Sequence, residues 1–169
     1  PVGLAALLTA QFYSPAQLIV VDLDQNRLEV ARRFGATDTV DSSTGDAAAA
    51  VMQLTGDRGV DTAIEAVGIP ATFVLCEKIV AAGGTIANVG VHGAKVDLHL
   101  ETLWAHNISI TTRLVDTATT SMLLKTVQAR KIDPAQLITH RFKFNDIMTA
   151  YETFGSAAAN KALKVIINA

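Results

Sequence analysis

The sequence predicts an α/β fold with a doubly wound parallel sheet, and three observations predict it. Short apolar runs rich in β-branched residues alternate with stretches of helical period. Half of the 169 residues are hydrophobic and 18% are charged, a balance that suits a sheet buried between helices. Third, Gly3 opens a helix-like stretch and Asp22 ends the next strand-like run, nineteen residues later. That is the spacing of the third glycine and the acid in a dinucleotide-binding βαβ unit.

Taken in order, residues 2–12 read as a helix broken by Ser14-Pro15, and 17–22 as a buried strand too short to be a helix. Asp24 is placed to cap a helix whose apolar positions are Leu28, Val30, Ala31 and Phe34, and Gly35 closes it. Thr37–Val40 is a short strand, and an alanine-rich helix starts at Ser43 or Thr44 and runs through Leu54. Val60–Val67 is a strand, and Pro70 stands near the start of a helix reaching about Ala81. Gly83-Gly84 leads into a strand over Thr85–Val91, then a short helix over Leu100–Ala105 and a strand over Ile108–Val115. Beyond it the pattern gives a helix over Thr120–Arg130, an extended Leu137–Phe142, a helix capped by Asn145 through Phe154, and a strand over Lys164–Ile167. Strands joined through helices require crossovers, hence a parallel sheet of Rossmann type. The expected division is a nucleotide-binding domain over 1–115 and a C-terminal segment over 116–169.

Composition excludes several classes. The net charge of −2 leaves no basic footprint for nucleic acid or an anionic membrane surface. No stretch approaches the roughly 18–20 apolar residues of a spanning helix. The lone Cys76 cannot form an internal disulfide, so a reduced, cytoplasmic setting is expected, with the thiol buried and inert.

The candidate chemistry sits at helix starts and strand ends. A pyrophosphate binds where free N–H groups and the helix dipole meet its charge, and residues 1–4 supply such a terminus. Asp22 can accept hydrogen bonds from both adenosine ribose hydroxyls and would repel a 2′-phosphate, which favours NAD over NADP; its other reading is a strand-end cap. Arg27 leans over the ribose or is a solvated helix charge. His92, His99 and His106 recur every seven residues, but a glycine turn and mixed structure between them put them on no common face, so no metal site is expected. Glu65 reads as a hydrogen-bonded structural acid, with a general base as the alternative.

Five segments in order, Pro-Val-Gly-Leu-Ala-Ala, Val-Asp-Leu-Asp-Gln-Asn-Arg, Phe-Gly-Ala-Thr-Asp, Gly-Val-Asp-Thr-Ala-Ile-Glu-Ala-Val-Gly and Gly-Gly-Thr-Ile-Ala-Asn-Val-Gly-Val-His-Gly, carry a resemblance over essentially the whole chain. It resembles the C-terminal, cofactor-binding half of the zinc-dependent alcohol dehydrogenases of the medium-chain dehydrogenase/reductase superfamily. The resemblance implies that Pro1, Val2 and Gly3 belong to the pyrophosphate turn, Asp22 is the ribose acid and Arg27 the basic residue beside it. It places Ala66, Val67 and Gly68 beside the adenine ribose and gives the backbone of Val89, Gly90 and Val91 the nicotinamide carboxamide. Arg113 offers a backbone group to the nicotinamide, and Lys164 a basic charge near the pyrophosphate. For each of these segments an ordinary strand end or surface charge is the other reading. The implied activity is hydride transfer between NAD and a secondary alcohol or polyol, with zinc held by the preceding half and neither metal ligand nor catalytic residue in this chain. A homodimer or homotetramer is implied, paired through the strand near 108–115, and residues 116–169 pack back on the catalytic domain.

Other readings stay open: an NADPH-dependent quinone or enoyl reductase of the same superfamily, against which Asp22 argues; an S-adenosylmethionine methyltransferase; or a non-catalytic nucleotide-binding module. The first strand and first two glycines of the unit are expected upstream of residue 1. In the order 3-2-1-4-5-6 that strand is central, so the strands over 17–22 and 60–67 are expected to flank a slot that another segment fills. The 169-residue chain alone is therefore expected to lack alcohol dehydrogenase activity; zinc-dependent turnover by the purified chain would contradict this.

Overall fold

The computed structural model describes residues 1–114 and 117–169. Helix α1 (Val2–Ala10) buries Leu4 and Leu7 and tightens into a 3-10 turn at Gln11–Tyr13. Strand β1 (Ile19–Asp22) follows. Helix α2 (Gln25–Arg33) starts where the Asp24 carboxylate accepts the amide N–H groups of Asn26 and Arg27, so the expected cap forms. Gln11 Nε2 donates to Phe34 O at 2.7 Å, satisfying a carbonyl at the C-terminal end of α2.

Strand β2 (Asp38–Asp41) leads to α3 (Ala47–Leu54), which begins later than Ser43 or Thr44. Ser43 and Thr44 instead bond back to Asp41 in a turn, and Asp46 caps the helix by accepting from Ala48 and Ala49. Strand β3 (Val60–Glu65) and helix α4 (Pro70–Ile79, Pro70 in its first turn) start where expected, but each ends two residues earlier, before Val67 and Ala81. Strand β4 (Val80–Asn88) starts directly after α4, earlier than Thr85. Its register jumps from Val60↔Val80 to Thr62↔Thr85, so Gly83-Gly84 lies in an irregularity inside the strand rather than before it.

Helix α5 (Leu100–Leu103) precedes strand β5 (Ser109–Thr112). Val115, the expected end of that strand, and the expected domain boundary at 115/116 lie outside the described residues. Helix α6 (Thr120–Gln128), strand β6 (Ile138–Lys143), helix α7 (Ile147–Gly155) and strand β7 (Lys164–Asn168) complete the chain. Asn145 is not the cap of α7: it lies within a 3-10 turn at Phe144–Asp146, and the helix begins beyond it without a side-chain cap.

Among the described residues the strands form three sheets, ordered β1-β2, β3-β4-β5 and β6-β7. β3 with β4, β4 with β5 and β6 with β7 are parallel. Among the described residues β1 and β3 share no ladder.

The chain divides into two compact units. One holds Pro1, Gly3–Thr39 and Thr117–Ala169; its core is Leu4, Leu7, Ala31, Phe34 and Leu163, with Leu18, Val20 and Leu137 packed against it. Apolar residues from the two ends of the chain thus share one core. The other unit holds Val2 and the described part of Val40–Asp116. Within it Ala63 of β3, Ile86 of β4, Val51 of α3 and Phe73, Cys76 and Ile79 of α4 are buried. Ile86 is wholly buried on the middle strand. Ile86→Ala is expected to cost about 2–5 kcal/mol in urea denaturation, whereas Ile110→Ala on the exposed edge strand costs much less.

Candidate functional site

The residues singled out from the sequence fall into two groups, one in each unit. In the first, β1 ends at Asp22 and the chain turns through exposed Leu23 into the cap of α2. Asp22 Oδ1 accepts the amide N–H of Asp24 at 3.0 Å, which fixes the carboxylate at the strand end. Arg27, one turn into α2, sits 3.7 Å from Asp22 Oδ1 and 3.9 Å from Asp24 Oδ2. Both Asp22 and Arg27 keep about a third of their side chains exposed, 28% and 34%. Pro1, at the start of α1, lies within electrostatic reach of Arg27, Asp22 and Lys164. The fold therefore gathers the first turn of α1, a strand-end acid and two basic side chains. Gly3 is exposed at this terminus. A cleft of about 750 Å³ in the same unit runs along α2 and includes Arg27 in its wall but not Asp22.

In the second group three parallel strands end level with one another. Glu65 is in register with Asn88, and Asn88 with Thr112. The segments 66–68 and 89–91 and residue 113 all start just past that line, so the carboxyl edge of the sheet collects the cofactor-binding candidates of this unit except Val2. Val67, Val89 and Arg113 are exposed, Val91 is 77% exposed, and Gly68 is buried.

Glu65 ties these turns together. Its Oε1 accepts from Val67 N and Gly68 N at 2.9 Å and from Thr72 Oγ1 at 2.6 Å. Its backbone carbonyl accepts from Val89 N at 2.8 Å and Gly90 N at 3.1 Å. The turns pack so closely that a Cβ at Gly90 would run into Glu65 Oε2 and the Gly68 backbone. Gly68, at φ +92°, would drive a Cβ into Val91 O. Burial pushes the Glu65 carboxyl up, but hydrogen bonds from Thr72, Gly68 and Val67, with the nearby His92 ring, outweigh it and hold it below its ordinary value. The structural-acid reading fits this arrangement.

The remaining candidates are occupied elsewhere. The Glu77 carboxylate accepts the His99 amide N–H at 3.0 Å and faces His99 Nδ1 at 2.7 Å, and this hydrogen bond raises the His99 imidazole above its usual range. His92 instead sits against Asn88 and Glu65. His92 and His99 therefore have different partners. Among the described residues no group of three or more His, Cys, Asp or Glu could hold a metal ion, so zinc fits no donor set here. Cys76 is buried, and desolvation, with Glu65 and Glu77 nearby, pushes its thiol up to about 12. Among the described residues no helix is long and apolar enough to cross a membrane. The sequence reading weighed His92 only as a metal ligand and gave Asn88 no role; their signal, an Asn and a His flanking the Val89–Val91 strand end, has meaning only once the turn closes.

A sequence model described as zinc-binding dehydrogenase matches residues 1–129. The chain is 35% identical over 159 residues to an NADP-dependent isopropanol dehydrogenase of Thermoanaerobacter brockii, covering 89% of this chain and 45% of that protein. It is 32% identical over 174 residues to an L-idonate 5-dehydrogenase of Vitis vinifera, covering 99% and 47%. The solved structure of zinc dependent alcohol dehydrogenase 2 from Streptococcus pneumonia superposes with a TM-score of 0.94 at 56% identity, covering 98% of this chain and 48% of that one. The chain thus spans just under half the length of these relatives.

The depressed Glu65 carboxyl has a signed consequence. Its contribution to stability is fully present above its ordinary value near 4.5 and is lost as pH falls through the lower folded-state value. Glu65→Gln, which sets an amide against the same donors, is expected to destabilise the chain by about 2–3 kcal/mol at pH 7, with the gap to wild type narrowing below pH 4.5 in urea melts.

Proposed function

The chain belongs to the zinc-binding dehydrogenase family, corresponding to its C-terminal half, and we propose that it binds NAD as part of an alcohol or polyol dehydrogenase. The observation that carries this reading is Asp22, held at the end of β1 by the Asp24 amide with Arg27 beside it. A strand-end carboxylate of this kind accepts from the two hydroxyls of an adenosine ribose and opposes a 2′-phosphate. That argues for NAD here, although two relatives are described as NADP-dependent isopropanol dehydrogenases, one of them as probable.

Each group offers its own part of the chemical fit. The amide groups at the start of α1, with Pro1, Val2 and Gly3, offer donors to a pyrophosphate, and Lys164 adds positive charge. Ala66, Val67 and Gly68 flank the adenine ribose, and the backbone of Val89, Gly90, Val91 and Arg113 orients the nicotinamide carboxamide. The tight packing around Gly68 and Gly90, where no Cβ fits, supports a role for backbone rather than side chains at that edge.

NAD, when bound, supplies the hydride acceptor for oxidation of an alcohol. This chain's own residues bind and orient it, which is how a positioned cofactor lowers a barrier. The proposed substrates are secondary alcohols or polyols, in keeping with isopropanol and idonate dehydrogenases among the relatives. Residues 116–169 are proposed to pack on a zinc-bearing catalytic domain. A homodimer or homotetramer is proposed through β5, an edge strand with all four residues exposed. A cytoplasmic setting accords with the single, buried cysteine.

Fluorescence titration with NADH and NADPH tests the central point. Asp22→Ala is expected to weaken NADH binding about tenfold or more while leaving NADPH binding unchanged or tighter. Equal loss of both cofactors, or no loss of NADH, contradicts the assignment.

A further inference from the structure

The turn that follows β4 is held by a side-chain strut as well as by the Glu65 backbone carbonyl. The ladder between β4 and β5 ends at Asn88↔Thr112. Beyond it, Asn88 Nδ2 donates to Gly90 O at 3.1 Å, which points its Oδ1 away from that carbonyl and towards His92. His92 Nε2 lies 2.8 Å from Asn88 Oδ1, and an amide oxygen can only accept, so the ring proton sits on Nε2. His92 Nδ1 is then an acceptor, buried and without a partner among the described residues. Glu65 Oε2, also buried and without a hydrogen bond there, lies 3.4 Å from the same Nε2. The edge of the Phe73 and His92 ring pair, 6.2 Å between centroids at 85°, fixes the imidazole on a further side.

The sequence Asn88–His92 thus closes on itself, with Gly90 pressed against Glu65 below and Val89 and Val91 exposed above. A backbone that must meet a planar carboxamide needs its N–H and C=O groups aimed in advance. Among the described residues, the side chain that holds Asn88, and through it the Gly90 carbonyl, is His92.

We propose that His92 is a positioning residue for the nicotinamide ring, acting through Asn88 and Glu65 on the Val89–Val91 backbone. The proposal rests on the reading that this backbone holds the carboxamide. His92→Phe keeps a ring against Phe73 but removes the donor; His92→Gln keeps a donor within reach of Asn88. An inert packing role would affect all ligands alike, whereas a positioning role is felt only by a ligand that carries nicotinamide.

The test is titration of the protein that carries this chain, at its full length, with NADH and with ADP-ribose, which lacks the nicotinamide. H92F is expected to weaken NADH binding about tenfold and ADP-ribose binding by less than about twofold, with H92Q close to wild type for both. Unchanged NADH affinity in H92F, or equal loss of both ligands, overturns the proposal. Should H92F fail to fold, Asn88→Ser cuts the same strut from β4 and is read with the same two ligands and the same expectations. A wild type that binds neither ligand, or binds NADH no more tightly than ADP-ribose, overturns the nicotinamide reading itself and the proposal with it. That outcome is distinct from a wild type with an NADH preference that H92F leaves intact.

Discussion

Glu65 closes β3 with no exposed side-chain surface, and a carboxylate so placed is tolerable only because donors surround it. Three converge on one oxygen, and the backbone carbonyl of the same residue takes two more N–H groups from the turn after β4. One residue therefore binds the end of β3, the first turn of α4 and the end of β4 into a single edge. The absence of room for a Cβ at Gly68 and Gly90 follows from that convergence, because the turns can reach the carboxylate only if their backbones touch. His92 and Asn88 complete the same arrangement from the far side of the turn.

The first unit uses acids differently. Asp22 and Asp24 are separated by one exposed leucine, yet one ends a strand and the other caps a helix. Asp24 spends its carboxylate on the free N–H groups of α2, while Asp22 takes the Asp24 amide and stays partly exposed with Arg27 alongside. Division of labour between neighbouring carboxylates leaves the strand-end acid oriented but accessible, as the proposed ribose contact requires. Arg27 near both acids balances their charge without burying either.

Much of this was legible in the sequence because it is local. Asp24 and Gly35 bracket α2, Pro70 marks the start of α4, and the strand runs at 19–22 and 60–65 are short and β-branched enough to leave few alternatives. The errors are also local, and instructive. Asp41 captures Ser43 and Thr44, so the cap of α3 passes to Asp46. Gly83-Gly84 looks like a break, yet pairing with β3 carries β4 through it from Val80. Asn145 has the chemistry of a cap but lies inside a tighter turn. In each case a nearby hydrogen-bond partner or a neighbouring strand outweighed residue preference.

The family came from the resemblance of five segments in order, whereas by itself the sequence determined the α/β alternation and the placement of an acid one strand beyond a helix-opening glycine. These depend on period, propensity and chain distance, which a linear string carries in full. Tertiary structure alone decided that Glu65, Asn88 and Thr112 end level, that Leu163 joins the core of Leu4 and Leu7, and that His92 meets Asn88 and Glu65 while His99 meets Glu77. Those relations depend on strand register and on the closing of turns, where a shift of one residue exchanges every partner.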